Sequence, residues 1–143
     1  MILRKWEDLP DNMRNEAVKP YYESLQKKKL SLAFKFIFDR IMALFMLICL
    51  SPVFLILAIL IKADSPGDVF FTQERITQYG KYFKIYKFRT MVANAELLGA
   101  QVTSNNDMRV TRMGSKLRHC RLDELPQLIN ILKGEMSFVG TRP

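Results

Sequence analysis

Asp123 and Glu124 stand side by side in the run Leu122-Asp-Glu-Leu-Pro-Gln-Leu-Ile-Asn130, just after a segment carrying Arg112, Lys116, Arg118 and Arg121. An ionised carboxylate can act as a nucleophile towards phosphorus, as in aspartyl-phosphate chemistry. A neighbouring carboxylate can take Mg²⁺, which usually binds one or two carboxylates together with substrate phosphates. Flanking arginines and lysines can stabilise charge on the transferring group. The helix dipole and the preceding arginines are expected to hold both carboxylates ionised. The same pair has a plainer reading, because Asp is a favoured N-cap and Glu complements the dipole. Spacing alone favours that plainer reading.

The elements that must position this pair follow from periodicity. Leu125, Leu128, Ile129 and Leu132 recur at helical spacing, and Gly134 is the expected stop. Pro126 is tolerated only in a first turn, which puts Asp123 at or beside the N-cap and Glu124 in the opening turn. Upstream, a helix is expected from Arg112 to Arg121, capped by Thr111, with Met113, Leu117 and Cys120 as its buried stripe. His119 has no second ligand at suitable spacing and reads as a surface histidine. A short helix is expected at Met91–Leu98, ending near Gly99, followed by a polar loop at 100–107. Two strands, Val69–Arg75 and Phe83–Arg89, flank the turn at Tyr79-Gly80 and form a β-hairpin, entered through the turn Asp64-Ser-Pro-Gly67. Lys84 lies on one face of the second strand, with Lys87 and Arg89 one residue out of register. A basic strand face is usually just solvated.

All of this follows an uncharged stretch, Ile41–Ile61, bracketed by Arg40 and Lys62. At 1.5 Å per residue it spans roughly 31 Å as a helix, enough to cross a bilayer core. Pro52 cannot donate to the Ile48 carbonyl, so the helix bends or breaks at Ser51-Pro52. Lys35 and Arg40 precede the stretch, and Lys62, Arg75, Lys81, Lys84 and Lys87 follow it. Positive charge favours the cytoplasmic side. A chain basic on both flanks suits a hairpin that enters and leaves by one face, while a kinked single span remains an equal alternative on physics alone. The helix is expected to begin before the stretch, at Leu30. Residues 1–30 read as an interfacial segment bearing Trp6, Tyr21 and Tyr22 beside Lys27–Lys29, or else as a solvated tail. Met13, Ala17, Tyr21 and Leu25 share a helical face there, with Pro20 expected to interrupt the helix near Lys19.

The balance of 22 basic against 14 acidic residues leaves a charge of +8. Beside an apolar stretch, that points to the anionic cytoplasmic leaflet and to phosphate-bearing ligands rather than to nucleic acid. Cys49 and Cys120 are expected to be reduced thiols, not a disulfide framework. The stretch starts too far from Met1 for a signal peptide. A carboxylate pair, basic groups and a membrane insertion together suit transfer between a soluble phosphate donor and a lipid phosphate.

The motif series is specific. It comprises the Ser51-Pro52 break, K-A-D-S-P-G-D-V-F-F-T-Q-E-R from Lys62 to Arg75 and K-F-R-T-M from Lys87 to Met91. It continues with D-M-R-V-T-R-M-G-S-K-L-R from Asp107 to Arg118, L-D-E-L-P-Q-L-I-N from Leu122 to Asn130 and K-G-E-M-S-F-V-G-T-R-P from Lys133 to Pro143. In this order the chain closely resembles the bacterial sugar transferases known as monotopic polyprenyl-phosphate phosphoglycosyl transferases. The resemblance implies that Asp123 attacks the β-phosphate of a UDP-sugar, releasing UMP, and that undecaprenyl phosphate then takes the phosphosugar from the aspartate. It implies Mg²⁺ at Glu124, Arg118 near the lipid phosphate and Arg142 near the nucleotide. Arg112, Lys87, Arg89 and Arg109 fall in family motifs with a generic phosphate or structural role. Ser51 and Pro52 match the family's helix break, which favours the hairpin. Thr141, Thr77, Pro66 and Asp68 depart from the usual family residues. Family members continue beyond this last motif, so the chain is expected to be a truncated form.

The expected architecture is α+β and membrane-associated. Residues 1–30 form an interfacial segment, 31–62 a re-entrant helix-break-helix hairpin, and 63–143 a cytoplasmic catalytic domain with a short β-hairpin and amphipathic interfacial helices, its C-terminal part absent. The expected location is the bacterial inner membrane, with the active site on the cytoplasmic face, initiating exopolysaccharide, capsule or other glycoconjugate assembly. UDP-sugar, undecaprenyl phosphate and membrane lipid are the expected partners, without nucleic acid and with homo-oligomerisation left open. The competing reading is a non-catalytic, basic, membrane-anchored module that binds anionic lipid or nucleic acid. The sequence does not read out which sugar is moved.

Overall fold

A computed structural model of the chain describes residues 3–93, 95 and 107–140. Among them, 3-10 turns at Trp6–Asp8 and Asp11–Met13 lead into helices α1 (Lys19–Lys27), α2 (Lys29–Cys49) and α3 (Ser51–Asp64). An antiparallel hairpin of β1 (Phe70–Ile76) and β2 (Tyr82–Phe88) follows. Helix α4 (Arg112–His119), a 3-10 turn at Leu122–Glu124 and helix α5 (Gln127–Lys133) complete the order. The mixed α+β class expected from the sequence is observed.

Pro20 does not interrupt the first helix. It lies in the opening turn of α1, where a missing N–H leaves no bond unmade. Helix α2 runs as expected from just before Leu30 into the apolar stretch and stops at Leu50. Ser51 supplies what Pro52 cannot: its hydroxyl donates to the Ile48 carbonyl at 2.8 Å. The axes of α2 and α3 diverge by 61° at this break. No single helix among the described residues is long and apolar enough to cross a membrane; the bent pair reaches that length and composition together.

Each arm of the pair carries its own apolar cluster. On α2, Ala43, Met46, Leu47 and Leu50 pack against Leu128, Ile131, Leu132 and Met136 of α5 and the segment after it. On α3, Leu57 and Ile61 pack with Phe88 of β2 and Leu117 of α4, extended by Phe54, Met113, Leu122 and Leu125. Full burial of side chains such as Phe88 and Leu117 contributes about 1.5–3 kcal/mol each. The segment from Leu122 to Leu128 therefore straddles the two clusters. On the far side of α2, Phe34, Ile37, Phe38, Ile41, Leu44, Phe45 and Ile48 form a continuous exposed stripe, joined by Leu55, Ile56, Ile59 and Leu60 of α3.

In the hairpin, Phe70 to Ile76 pair in register with Phe88 to Tyr82. Phe83 and Ile85 are buried on one face and Phe88 on the other, so β2 is covered on both sides near its C-terminal end. Its outer edge is closed by one residue, Asn130. The Asn130 side chain accepts from the Tyr86 N–H at 3.0 Å and donates to the Lys84 carbonyl and to Glu135 Oε2, both at 2.7 Å. Asn130 is fully buried.

Helix α4 begins as expected, with the Thr111 hydroxyl accepting from the Gly114 N–H at 2.9 Å. The Met113 N–H is taken by Asp64 Oδ2, also at 2.9 Å. Leu117 is buried, but Cys120 is exposed, one residue beyond the end of α4. The expected helix at Met91–Leu98 falls largely outside the described residues. Its first residue, Met91, pairs instead with Val110 in an isolated bridge.

Candidate active site

Asp123 sits one turn upstream of the position expected for it. Arg121 adopts the left-handed conformation (φ 57°), Leu122–Glu124 form a 3-10 turn, and α5 starts only at Gln127 with Pro126 as its N-cap residue. The cause is Pro126. It has no N–H to return to Leu122, so the Leu122 carbonyl takes the Leu125 N–H at 3.2 Å and the turn tightens. Asp123 is thus neither the N-cap of α5 nor bonded to its first turn. Its carboxylate is buried, and Oδ1 has no hydrogen-bond partner among the described residues.

Burial and the adjacent Glu124 push the Asp123 carboxyl above the ordinary carboxylate range, against the opposing pull of Lys87 and Arg118. The expectation from sequence is that dipole and arginines favour the ionised form of both carboxylates; at Asp123 burial works against them. Desolvation exceeds the cationic support, and the turn geometry removes the dipole of α5 from direct contact. A buried carboxylate oxygen without a donor among the described residues is the kind of group that marks a candidate functional site.

Around this carboxylate the structure gathers three cations, one from β2, one from α4 and one from the residue that precedes the 3-10 turn. Lys87, near the end of β2, reaches Glu124 Oε1 at 3.4 Å. Arg121 lies 3.9 Å from the same oxygen, but its side chain is 75% exposed, so this contact adds little stability. Arg118 on α4 donates from Nε to the Thr90 hydroxyl at 2.9 Å. That bond steadies the arginine on the side of α4 nearest the site. Lys87, Arg118, Asp123 and Glu124 are thus brought together.

Other expected site residues lie apart. Arg112 is exposed and stands near Asp64 at the start of α4. Arg89 is buried, donating from Nη2 to the carbonyl and hydroxyl of Ser65 at 2.6 and 2.9 Å, while Nε and Nη1 have no partner among the described residues. A side chain at Gly67 would collide with that guanidinium, which explains the glycine at this turn. The second strand therefore has no common basic face: Lys84 is exposed, Lys87 points to the site and Arg89 clamps the exit from α3. Arg109 is bound to Asp107 through several bonds, the shortest of 2.6 Å, which hold Asp107 down at about 2, and it also reaches the Ala95 carbonyl. Arg142 and Thr141 lie outside the described residues. Ser51 and Pro52 open α3 directly after the break at Leu50, remote in sequence from the carboxylates.

Three contributors escaped the sequence reading. Thr90 was visible only as a member of K-F-R-T-M. Its hydroxyl holds Arg118, and its carbonyl accepts the Thr111 N–H at 3.1 Å. Asp64 reads in the sequence as part of a turn, yet it ends α3 and secures α4. Asn130 shares its side of α5 with Gln127 and Lys133, so nothing in the local pattern singles it out.

No group of three or more His, Cys, Asp or Glu side chains arranged to hold a metal occurs among the described residues. The donor chemistry at Asp123 and Glu124 still suits Mg²⁺, which takes few protein ligands and completes its octahedron with water and phosphate oxygens. The unpartnered Asp123 Oδ1 beside a second carboxylate is compatible with such an ion.

Comparison with known proteins bears on this site. The family model described as bacterial sugar transferase matches residues 30–143. A UDP-N-acetylgalactosamine-undecaprenyl-phosphate N-acetylgalactosaminephosphotransferase of Aeromonas hydrophila is 53% identical over 93 residues, covering 65% of this chain and 22% of that protein. The exopolysaccharide production protein PSS of Rhizobium leguminosarum bv. phaseoli is 46% identical over 114 residues, or 79% of this chain and 57% of its own length. A UDP-glucose:undecaprenyl-phosphate glucose-1-phosphate transferase of Escherichia coli is 46% identical over 106 residues, covering 73% of this chain and 23% of that protein. The chain thus spans between about a fifth and under two thirds of the length of these relatives.

Proposed function

Because this chain belongs to the bacterial sugar transferase family, we propose that it is the catalytic portion of an undecaprenyl-phosphate sugar-1-phosphate transferase that initiates exopolysaccharide, capsule or another glycoconjugate. The observation that carries the reading is Asp123: a buried carboxylate with one unpartnered oxygen, set between Lys87 and Arg118.

In this reading an Asp123 oxygen attacks the β-phosphorus of a UDP-sugar. The bond to the bridging oxygen breaks, and UMP leaves with its electron pair. A phosphate oxygen of undecaprenyl phosphate then attacks the same phosphorus, breaking the acyl-phosphate bond and freeing Asp123. The desolvation that raises its proton affinity also strips the nucleophile of water, so the ionised fraction is the more reactive. Arg118, steadied by Thr90, offers its guanidinium to the lipid phosphate. Lys87 offsets the paired carboxylates and charge on the transferring group. Glu124, with Asp123 beside it, would hold Mg²⁺, which when bound neutralises charge on the diphosphate. Arg142 is assigned to the nucleotide end by resemblance alone.

The bent pair α2–α3 is read as a re-entrant hairpin in the bacterial inner membrane that keeps both flanks, and Asp123, on the cytoplasmic face. The 61° break and the exposed apolar stripe support it. The relatives act on different sugars by name, so the donor sugar is left to experiment.

The deciding assay supplies Mg²⁺, undecaprenyl phosphate and a panel of UDP-sugars and follows UMP release. Turnover with one donor that survives Asp123→Ala would remove the nucleophile assignment. Topology is tested in intact cells with Cys49 and Cys120 replaced by serine and single cysteines placed at Lys28 and Lys81. Reaction of only one of them with an impermeant thiol reagent would exclude the hairpin.

A further inference from the structure

The residues before α1 are strapped onto the turn of the β-hairpin. The Arg4 N–H donates to the Tyr79 hydroxyl at 3.2 Å, and Tyr22 donates to the Arg4 carbonyl at 2.9 Å. The Arg4 guanidinium lies over the Tyr79 ring, 4.8 Å from its centroid, and Trp6 meets Tyr22 edge-on. Tyr79 itself is held in the left-handed conformation (φ 64°). Between this strap, the turn and α2 lies a concavity of about 290 Å³ lined by Arg4, Phe36, Arg40, Thr77, Tyr79 and Lys81, among others. Its lining includes three cations and no carboxylate. The nearest acidic residue in sequence to the lining Gly134, Glu135, turns its carboxylate to Asn130 instead.

Arg40 is incompletely used by the protein. One Nη donates to the Lys133 carbonyl at 3.2 Å, and its guanidinium covers the Phe36 ring at 3.9 Å, while Nε is buried without a partner among the described residues. Cations gathered without counter-charge repel one another and favour an anion between them. The concavity is at the end of α5 opposite the Asp123 turn, since Gly134 lines it, so it is separate from the proposed active site. Arg40 borders the exposed apolar stripe of α2, with Ile37 one turn before it and Leu44 one turn after it.

We infer that Arg4, Arg40 and Lys81 form a second, non-catalytic site for a phosphate group, filled by the headgroup of an anionic lipid. A phosphodiester offers two acceptor oxygens to the guanidinium forks. The apolar stripe alongside selects a phosphate that carries acyl chains over a free one. That choice rests on the membrane reading above; the phosphate site itself does not. The strap would then be ordered by lipid contact, giving the segment before α1 a role in docking.

The test uses the full chain in neutral detergent and measures saturable binding of short-chain phosphatidylglycerol, glycerol phosphate and inorganic phosphate. The lipid is expected to bind tightest. Losing one charge-assisted contact costs roughly ten-fold in affinity, so Arg4→Gln and Lys81→Gln should each weaken lipid binding by about that factor. Neither residue belongs to the apolar clusters, and thermal unfolding confirms that each variant is folded. Arg40→Gln should act likewise. The double variant Lys28→Gln, Lys29→Gln removes twice the charge of any one of these variants, outside the concavity, and should change binding less than about two-fold. An equal loss in that control would overturn the site, leaving only general surface charge. Inorganic phosphate binding as tightly as the lipid would overturn the lipid assignment and leave a soluble phosphate site, whichever way the UMP-release assay falls.

Discussion

Gly114 of α4 rests directly on the backbone of Thr90, where a Cβ would overlap the Thr90 carbonyl. This contact brings α4 close enough for Arg118 to hold the Thr90 hydroxyl. Backbone cannot step aside as a flexible side chain can, so Gly114→Ala should cost about 1–3 kcal/mol and displace Arg118 from the site. Thermal unfolding reads the first effect and a raised KM for lipid phosphate the second. Gly140→Ala, where an added Cβ meets nothing within 4 Å, should be neutral within about 0.5 kcal/mol.

Asp123→Asn should abolish turnover, by on the order of 10⁴-fold or more, yet yield a protein more stable than the wild type near neutral pH. The folded state binds the Asp123 proton more tightly than the unfolded chain does. The stability contributed by this group is therefore fully present below the ordinary carboxylate range and is lost as pH rises through the raised folded value. Melting curves of both proteins against pH should converge in acid and separate above it. A variant that is less stable at neutral pH would contradict the desolvated site.

Lys87→Gln should move the acidic limb of the pH–rate profile upward. Lys87 is the larger of the two cationic influences that lower the Asp123 pKa, so its loss leaves burial and Glu124 less opposed. Turnover should fall at every pH, most steeply on the acid side. An unshifted limb would show that the profile reports another group.

Asn130→Leu should be among the substitutions most damaging to stability. It preserves approximate size but orphans the Tyr86 N–H, the Lys84 carbonyl and the Glu135 carboxylate. With about 1–3 kcal/mol for each buried group left unsatisfied, a loss of several kcal/mol is expected in denaturant unfolding.

Much of this architecture was legible because local rules carried it. Apolar periodicity marked the strands within a residue, Thr111 marked the start of α4, and Gly134, left-handed at φ 80°, marked the end of α5. What was not legible depended on partners distant in sequence. Pro126 correctly signalled a helix start, but the bond it cannot make shapes the preceding turn, and this moved Asp123 off the N-cap. Arg89 and Lys87 look alike as basic residues two apart; the folded chain sends one to Ser65 and the other to Glu124. Asn130 shows its value only once the free edge of β2 is beside it. The raised proton affinity of Asp123 likewise follows from burial, which no count of nearby arginines reveals.

The break at Leu50 has a mechanical meaning. One arm grips α5, the other grips β2 and α4, and the short span from Leu122 to Leu128 is fastened to both. Changing the angle between the arms would shear one cluster past the other, and the strain would converge on the turn that holds Asp123. The chain is built as a pair of calipers, with Asp123 at the point where their opening is measured.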